Sequence, residues 1–171
     1  MKLVILNGSS CSGKSTIVDI IMQKKEHYFH LSYDRLKRLF SKYSPSEQYE
    51  DVRRIVFAVA DEIFKMGYDV INDSALYQAS RMRLINLAKK YNYEIMEINL
   101  EADYEILCQR FDERVASALS SPSGVKPTNL SKERFKELVE IYNKEKNPSA
   151  ITFRTDTQSI ENVANSVMKL L

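Results

Sequence analysis

Short apolar runs alternate along the chain with longer stretches in which apolar residues recur every three or four positions. Residues 2 to 7 form a continuous apolar run of strand length, and residues 14 to 25 place Ile17, Ile20 and Ile21 on one helical face. HYFHLS (27 to 32) alternates weakly and is rich in aromatics, predicting a second strand that ends at Tyr33 and Asp34. DRLKRLFSKY then reads as a short helix, punctuated by Ser44-Pro45-Ser46. A long helix follows, with Val52, Ile55, Val56, Val59 and Ile63 inward, until Gly67 stops it. YDVIND (68 to 73) predicts a third strand, SRMRLINLAKKY a helix, and YEIMEINL (93 to 100) a fourth strand. ADYEILCQRFDERVASAL returns to helix with Leu107, Phe111 and Val115 in register. Ser131 has the chemistry of an N-cap for a helix that turns Phe135, Leu138, Val139 and Tyr142 inward. AITFRT (150 to 155) is the last predicted strand, and Ile160, Val163, Val167 and Leu170 mark a closing helix.

Strands alternating with helices predict an α/β architecture, a mainly parallel sheet covered on both faces. Ligands of such sheets bind at the carboxyl ends of the strands. Three places therefore matter most: the turn after the first strand, Asp34 and Asp73. At 171 residues the chain is read as one domain, 1–171. Hydrophobic content of 44% and charged content of 28% are ordinary for a soluble protein, and a net charge of +2 is too small to argue for nucleic acid by itself. No apolar stretch has the length of a membrane span, and MKLVIL lacks the long apolar region of a signal peptide, so a cytoplasmic location is expected. Cys11 lies in the first turn and Cys108 in a predicted helix, a placement that does not read as a structural disulfide. SSPSGVKPTN (120 to 129) has the composition of a linker.

The first turn is GSSCSGKST, which fits G-x4-G-K-S/T with Gly8, Gly13, Lys14 and Ser15, between a strand and a helix. Two glycines let the backbone bend tightly, so the N–H groups of Ser9, Ser10, Cys11, Ser12 and Gly13 can converge on phosphate oxygens at a helix start. Lys14 is expected to reach the β- and γ-phosphates, Ser15 to take part in a Mg²⁺ shell, and Thr16 to add a contact on the α-phosphate side. Asp34 could accept a proton from an incoming hydroxyl or could cap the helix beginning at Arg35. Asp73 could hold the Mg²⁺ shell, touch an acceptor, or serve as a turn residue. Arg110 and Arg114, one helical turn apart, could stabilise charge during phosphate transfer or form a solvated face. His27 and His30 have no ligand-like partners in sequence, so no metal role is assigned to them. Tyr33, Tyr43 and Tyr49 could stack an acceptor base or pack half-buried, and Arg35, Lys37, Arg38 and Lys42 could guide an anionic acceptor or line a solvated face.

Together these residues resemble the small P-loop kinases, the AAA-type, zeta-toxin and chloramphenicol phosphotransferase-like group, and most closely the kinase domain of phage-type polynucleotide 5′-kinase. The resemblance runs through LNGSSCSGKST, DRLK, VINDS, LCQRFDER and VKPTNLSKERFKELVEIY. It implies a three-layer P-loop NTPase fold with a parallel five-stranded sheet of order 2-3-1-4-5 and a helical lid over residues 108 to 130. It further implies Asp34 as general base, Lys37 and not Arg38 at the acceptor-gripping position, Arg114 in the lid, and Arg154 or Thr155 near the adenine. Two positions depart from the family pattern: Cys11 stands where many members have glycine, and Lys37 where the acceptor-gripping position is arginine.

The expected activity is transfer of the γ-phosphate of ATP, with Mg²⁺, to the 5′-hydroxyl of a polynucleotide. A small hydroxylated acceptor, such as a nucleoside, sugar nucleotide or antibiotic, is the alternative. An acceptor-free nucleotide switch is a third reading; against its GTPase form, NKEK at 143 to 146 does not make an N-K-x-D signature. No membrane partner is expected.

Overall fold

The structure is a computed structural model that describes residues 1–74, 77–119 and 131–171, with residues 118 and 119 described by backbone alone. The elements run β1 (Lys2–Gly8), α1 (Lys14–Lys24), β2 (Tyr28–Leu31), α2 (Tyr33–Lys37), α3 (Pro45–Met66) and β3 (Asp69–Asn72). They continue with α4 (Gln78–Lys90), β4 (Glu94–Glu101), α5 (Tyr104–Leu119), α6 (Lys132–Glu145), β5 (Ile151–Arg154) and α7 (Ile160–Met168). All four strand pairings are parallel, and the order across the sheet is β2-β3-β1-β4-β5.

The alternation within β1 builds both layers around this sheet. Leu3 and Ile5 point to one face, where they meet Val52, Val56, Ala60 and Phe64 of α3 and Leu84, Ile85 and Ala88 of α4. Val4 and Leu6 point to the other, against Ile17, Val18 and Ile21 of α1 and Val163, Ala164 and Val167 of α7. A strand buried on both faces reads as a continuous apolar run, as β1 does. The pair α5 and α6 has its own small core, in which the Phe111 and Phe135 rings stack with centroids 4.6 Å apart.

Two local expectations are corrected. The buried line of α3 is Val52, Val56, Ala60 and Phe64, in steps of four, which leaves Ile55 39% exposed. The apolar pattern overweighted the branched residues and passed over Ala60. The helix after β2 spans only five residues, because the chain then turns and reaches Lys42 with φ of 50°. Ser131 caps α6 as expected, accepting from the Arg134 N–H, and Gly67 ends α3 at φ 79°. Residues 120 to 130, the second half of the expected lid with its linker-like loop, lie outside the described residues. Among the described residues, no helix is long and apolar enough to cross a membrane.

Candidate functional site

The sheet order sets the stage, because β1 lies at its centre and the ends of β2 and β3 stand on one side of it. The loop after β1 turns sharply into α1. A Cβ on Gly8 would meet Ser12 Oγ at 2.4 Å and the Leu100 carbonyl at 2.8 Å, so only glycine fits there. Gly8→Ala is therefore expected to force the loop off its present path, destabilising the protein by about 1–3 kcal/mol and weakening nucleotide binding; urea unfolding and ADP titration check both. Gly13 takes φ of 90°, and Cys11 takes φ of 65°. The thiol-bearing residue thus holds a left-handed conformation that costs an L-residue about 1–2 kcal/mol.

No side chain caps α1. The leading N–H groups of that helix are therefore left for a ligand, as an anion cradle requires. Ser12 Oγ is buried without a hydrogen-bond partner among the described residues, a second sign of an incomplete polar site. The Lys14 ammonium folds back into the loop, donating to the Gly8 carbonyl at 2.8 Å and the Ser9 carbonyl at 2.7 Å. Its surroundings desolvate it, which pushes its pKa below the ordinary value, while Asp73 and Asp34 pull the other way. The charge of Arg114 on α5 adds to the depression.

Asp73 follows β3 and is 7% exposed. Its Oδ2 accepts from Ser15 Oγ at 3.4 Å. Burial pushes the Asp73 carboxyl up, but its contacts with His30 and Ser32 and the charge of Lys14 outweigh that, holding it below the ordinary carboxylate range. Ser15 and Asp73 thus bring a hydroxyl and a carboxylate together, with Asp73 Oδ1 left without a hydrogen bond among the described residues. This hard-oxygen pair beside a phosphate cradle suits a Mg²⁺ ion shared with a nucleotide.

Asp34 lies in the first turn of α2, whose N-cap is Ser32, so it does not occupy the capping position. Its carboxylate is 64% exposed and pairs with Lys37. Arg38, at the end of α2, is exposed, and Arg35 is committed to Asp19 at 2.5 Å. Around Asp34 stands a wall of tyrosines. The Tyr33 and Tyr43 hydroxyls are 2.7 Å apart, and the Tyr33 and Tyr49 rings are 5.6 Å apart and tilted. Lys37 and Arg53 lie over the Tyr33 and Tyr49 rings at 5.9 and 5.7 Å.

The two arginines of α5 part company. Arg110 is a brace: it donates to Thr155 Oγ1 at 3.0 Å, to the Thr155 carbonyl at 2.5 Å and to the Cys11 carbonyl at 3.4 Å. Arg114 is exposed. Arg154 pairs with Asp103 at 2.6 Å and with Asp156, and Thr155 is 2% exposed beneath Arg110. A cavity of about 350 Å³ opens on the opposite side of β1 from Asp34, lined by Ser9, Glu101, Tyr104, Lys136, Glu140 and Asn143 among others.

Sequence reasoning missed His30. Its side chain is 6% exposed, and its Nε2 is 3.2 Å from Asp73 Oδ1. A polar residue at a sheet-facing position of a buried strand was the available signal, but its partner depends on strand register. His30 stands opposite Ile71, two residues before Asp73 on the same face of β3.

The fold and the loop define the class: this is the fold of the P-loop kinases, with a phosphate-binding loop at the centre of a 2-3-1-4-5 parallel sheet. A family model described as an AAA domain matches residues 3–138, and the chain belongs to that family. Similar solved structures include a candidate kinase from Chloroflexus aurantiacus, with TM-score 0.72 and 16% identity over 99% of this chain and 98% of that one. The Pnkp1/Rnl/Hen1 RNA repair complex has a similar chain, with TM-score 0.69 and 22% identity over 84% of this chain and 44% of that one. Kti12 from Chaetomium thermophilum, solved with ADP-AlF3, has TM-score 0.69 and 16% identity over 98% of this chain and 97% of that one.

Proposed function

We propose that this protein is a kinase that transfers the γ-phosphate of ATP to a hydroxyl, with the 5′-hydroxyl of a polynucleotide as its acceptor. The phosphate loop carries the reading, since an uncapped helix start, the Lys14 ammonium inside the loop and the Ser15–Asp73 pair beside it bring donor grip and metal ligands together. The loop amides and Lys14 hold the β- and γ-phosphates. Ser15 and Asp73 would hold Mg²⁺, which would neutralise charge on the phosphate oxygens. Asp34 accepts the proton as the acceptor oxygen bonds to the γ-phosphorus and the bond to the bridging β–γ oxygen breaks, releasing ADP. Arg114 stabilises the charge spread over the transferring group. Arg110 keeps the loop carrying Arg154 and Thr155 against the phosphate loop, where the adenine would lie.

The tyrosine wall beside Asp34 favours an acceptor that carries a base, because aromatic faces stack on any nucleobase. Tyr49 is 37% exposed, so it can be changed without opening the core. Tyr49→Leu is expected to raise the KM for a 5′-hydroxyl oligonucleotide roughly tenfold, consistent with about 1–3 kcal/mol per stacked base, and to leave kcat unchanged. Wild-type KM should also rise steeply with salt, as phosphate contacts require. An unchanged KM in the variant and a flat salt response would instead favour a small uncharged acceptor.

A further inference from the structure

His30 is the one buried histidine, and it lies beneath the site rather than in it. Both of its ring nitrogens lack a hydrogen-bond partner among the described residues, as does Asp73 Oδ1, the atom that Nε2 faces at 3.2 Å. Two such groups facing each other at contact distance, but out of line, describe a pair that is completed by a small turn of the carboxylate.

At the start of α1, Ser15 Oγ donates to the other oxygen of that carboxylate, Oδ2, over a long 3.4 Å. Strand geometry explains why the histidine reaches it. Phe29 and Leu31 of β2 belong to the α3 and α4 face, so His30 and Ser32 turn to the other, the face shared by Ile71 and Asp73. An apolar residue at this position would fill the space without leaving ring nitrogens unpaired. We propose that His30 is a positioning residue, whose ring N–H holds Asp73 Oδ1 so that Oδ2, with the Ser15 hydroxyl, is presented to the Mg²⁺ that accompanies the nucleotide. Partners of this kind fix a ligand's orientation, and their loss typically costs about 10–100-fold in metal affinity.

The inference rests on the proposed nucleotide site, and the test separates the two. His30→Gln and His30→Met place unbranched side chains of similar volume at the position, one with a donor and one without. ADP affinity is measured by calorimetry for wild type and both variants, in excess Mg²⁺ and in EDTA, with Mg²⁺ titrated at fixed ADP. In His30→Met the apparent Mg²⁺ affinity should fall at least tenfold while ADP affinity in EDTA stays the same, and His30→Gln should recover most of the loss. Equal Mg²⁺ affinity in all three proteins, or an equal loss in Gln and Met variants, overturns the role of His30 and leaves the nucleotide site standing. If His30→Met does not fold, wild type and His30→Gln decide: a tenfold or greater loss of Mg²⁺ affinity in the folded Gln variant overturns the proposal, and retention supports it. A wild type that binds no ADP in either condition overturns the nucleotide site itself, and the proposal with it.

Discussion

Lys14→Ala is expected to reduce phosphate transfer by about 10²–10³-fold, the scale seen when one preorganised charge-stabilising group is removed. The same change should not harm the fold. Lys14 is held in a desolvating loop that depresses its pKa, so below that depressed value its charge costs the folded state something. The cost is present at neutral pH and vanishes as pH rises past the ordinary lysine value of 10.5. The alanine variant should therefore be as stable as wild type at pH 7 or more so, with any difference closing above about pH 10.5. Stability given up at a functional residue is the usual signature of a site shaped for its ligand. Urea unfolding at the two pH values, beside a transfer assay, tests both halves. A variant that unfolds readily and binds ADP as well as wild type would make Lys14 a structural residue.

Asp34→Asn is expected to lower kcat by about 10²–10⁴-fold, the range for loss of a general base, while leaving Mg²⁺·ADP binding intact. The position of Asp34 makes this a clean substitution. Ser32 and not Asp34 occupies the cap of α2, and the carboxylate is 64% exposed with Lys37 as its ion-pair partner. An exposed pair of this sort contributes about 0–1 kcal/mol, so thermal stability should barely change. Loss of ADP binding in the variant would show that Asp34 maintains the loop and does not act on the acceptor.

Much of this arrangement was legible before any coordinates. GSSCSGKST carries its chemistry in its spelling, because the glycine positions answer to backbone geometry: Gly8 has no room for a Cβ and Gly13 has positive φ. The alternation of β1 and the stripes of α1 and α7 fixed which faces pack, since burial leaves a period in the sequence. The roles of single polar residues were less legible. Whether Asp34 capped α2 depended on a two-residue difference in where the helix starts, which propensity does not resolve. Arg110 and Arg114 share spacing and chemistry, yet one is a brace on Thr155 and Cys11 while the other is exposed, a difference set by the docking of α5 on the loops. His30 was illegible for a related reason: its partner lies 43 positions away, and only parallel register brings β2 and β3 into alignment.

The most direct test of the account is phosphate transfer itself. The protein would be incubated with Mg²⁺ and γ-labelled ATP, together with 5′-hydroxyl DNA and RNA oligonucleotides, beside Lys14→Ala. Label on the oligonucleotide 5′ end that disappears in the variant is the predicted result. ATP bound but no label moved to any oligonucleotide would contradict the polynucleotide acceptor, and rapid ATP hydrolysis with no acceptor present would contradict the kinase reading altogether.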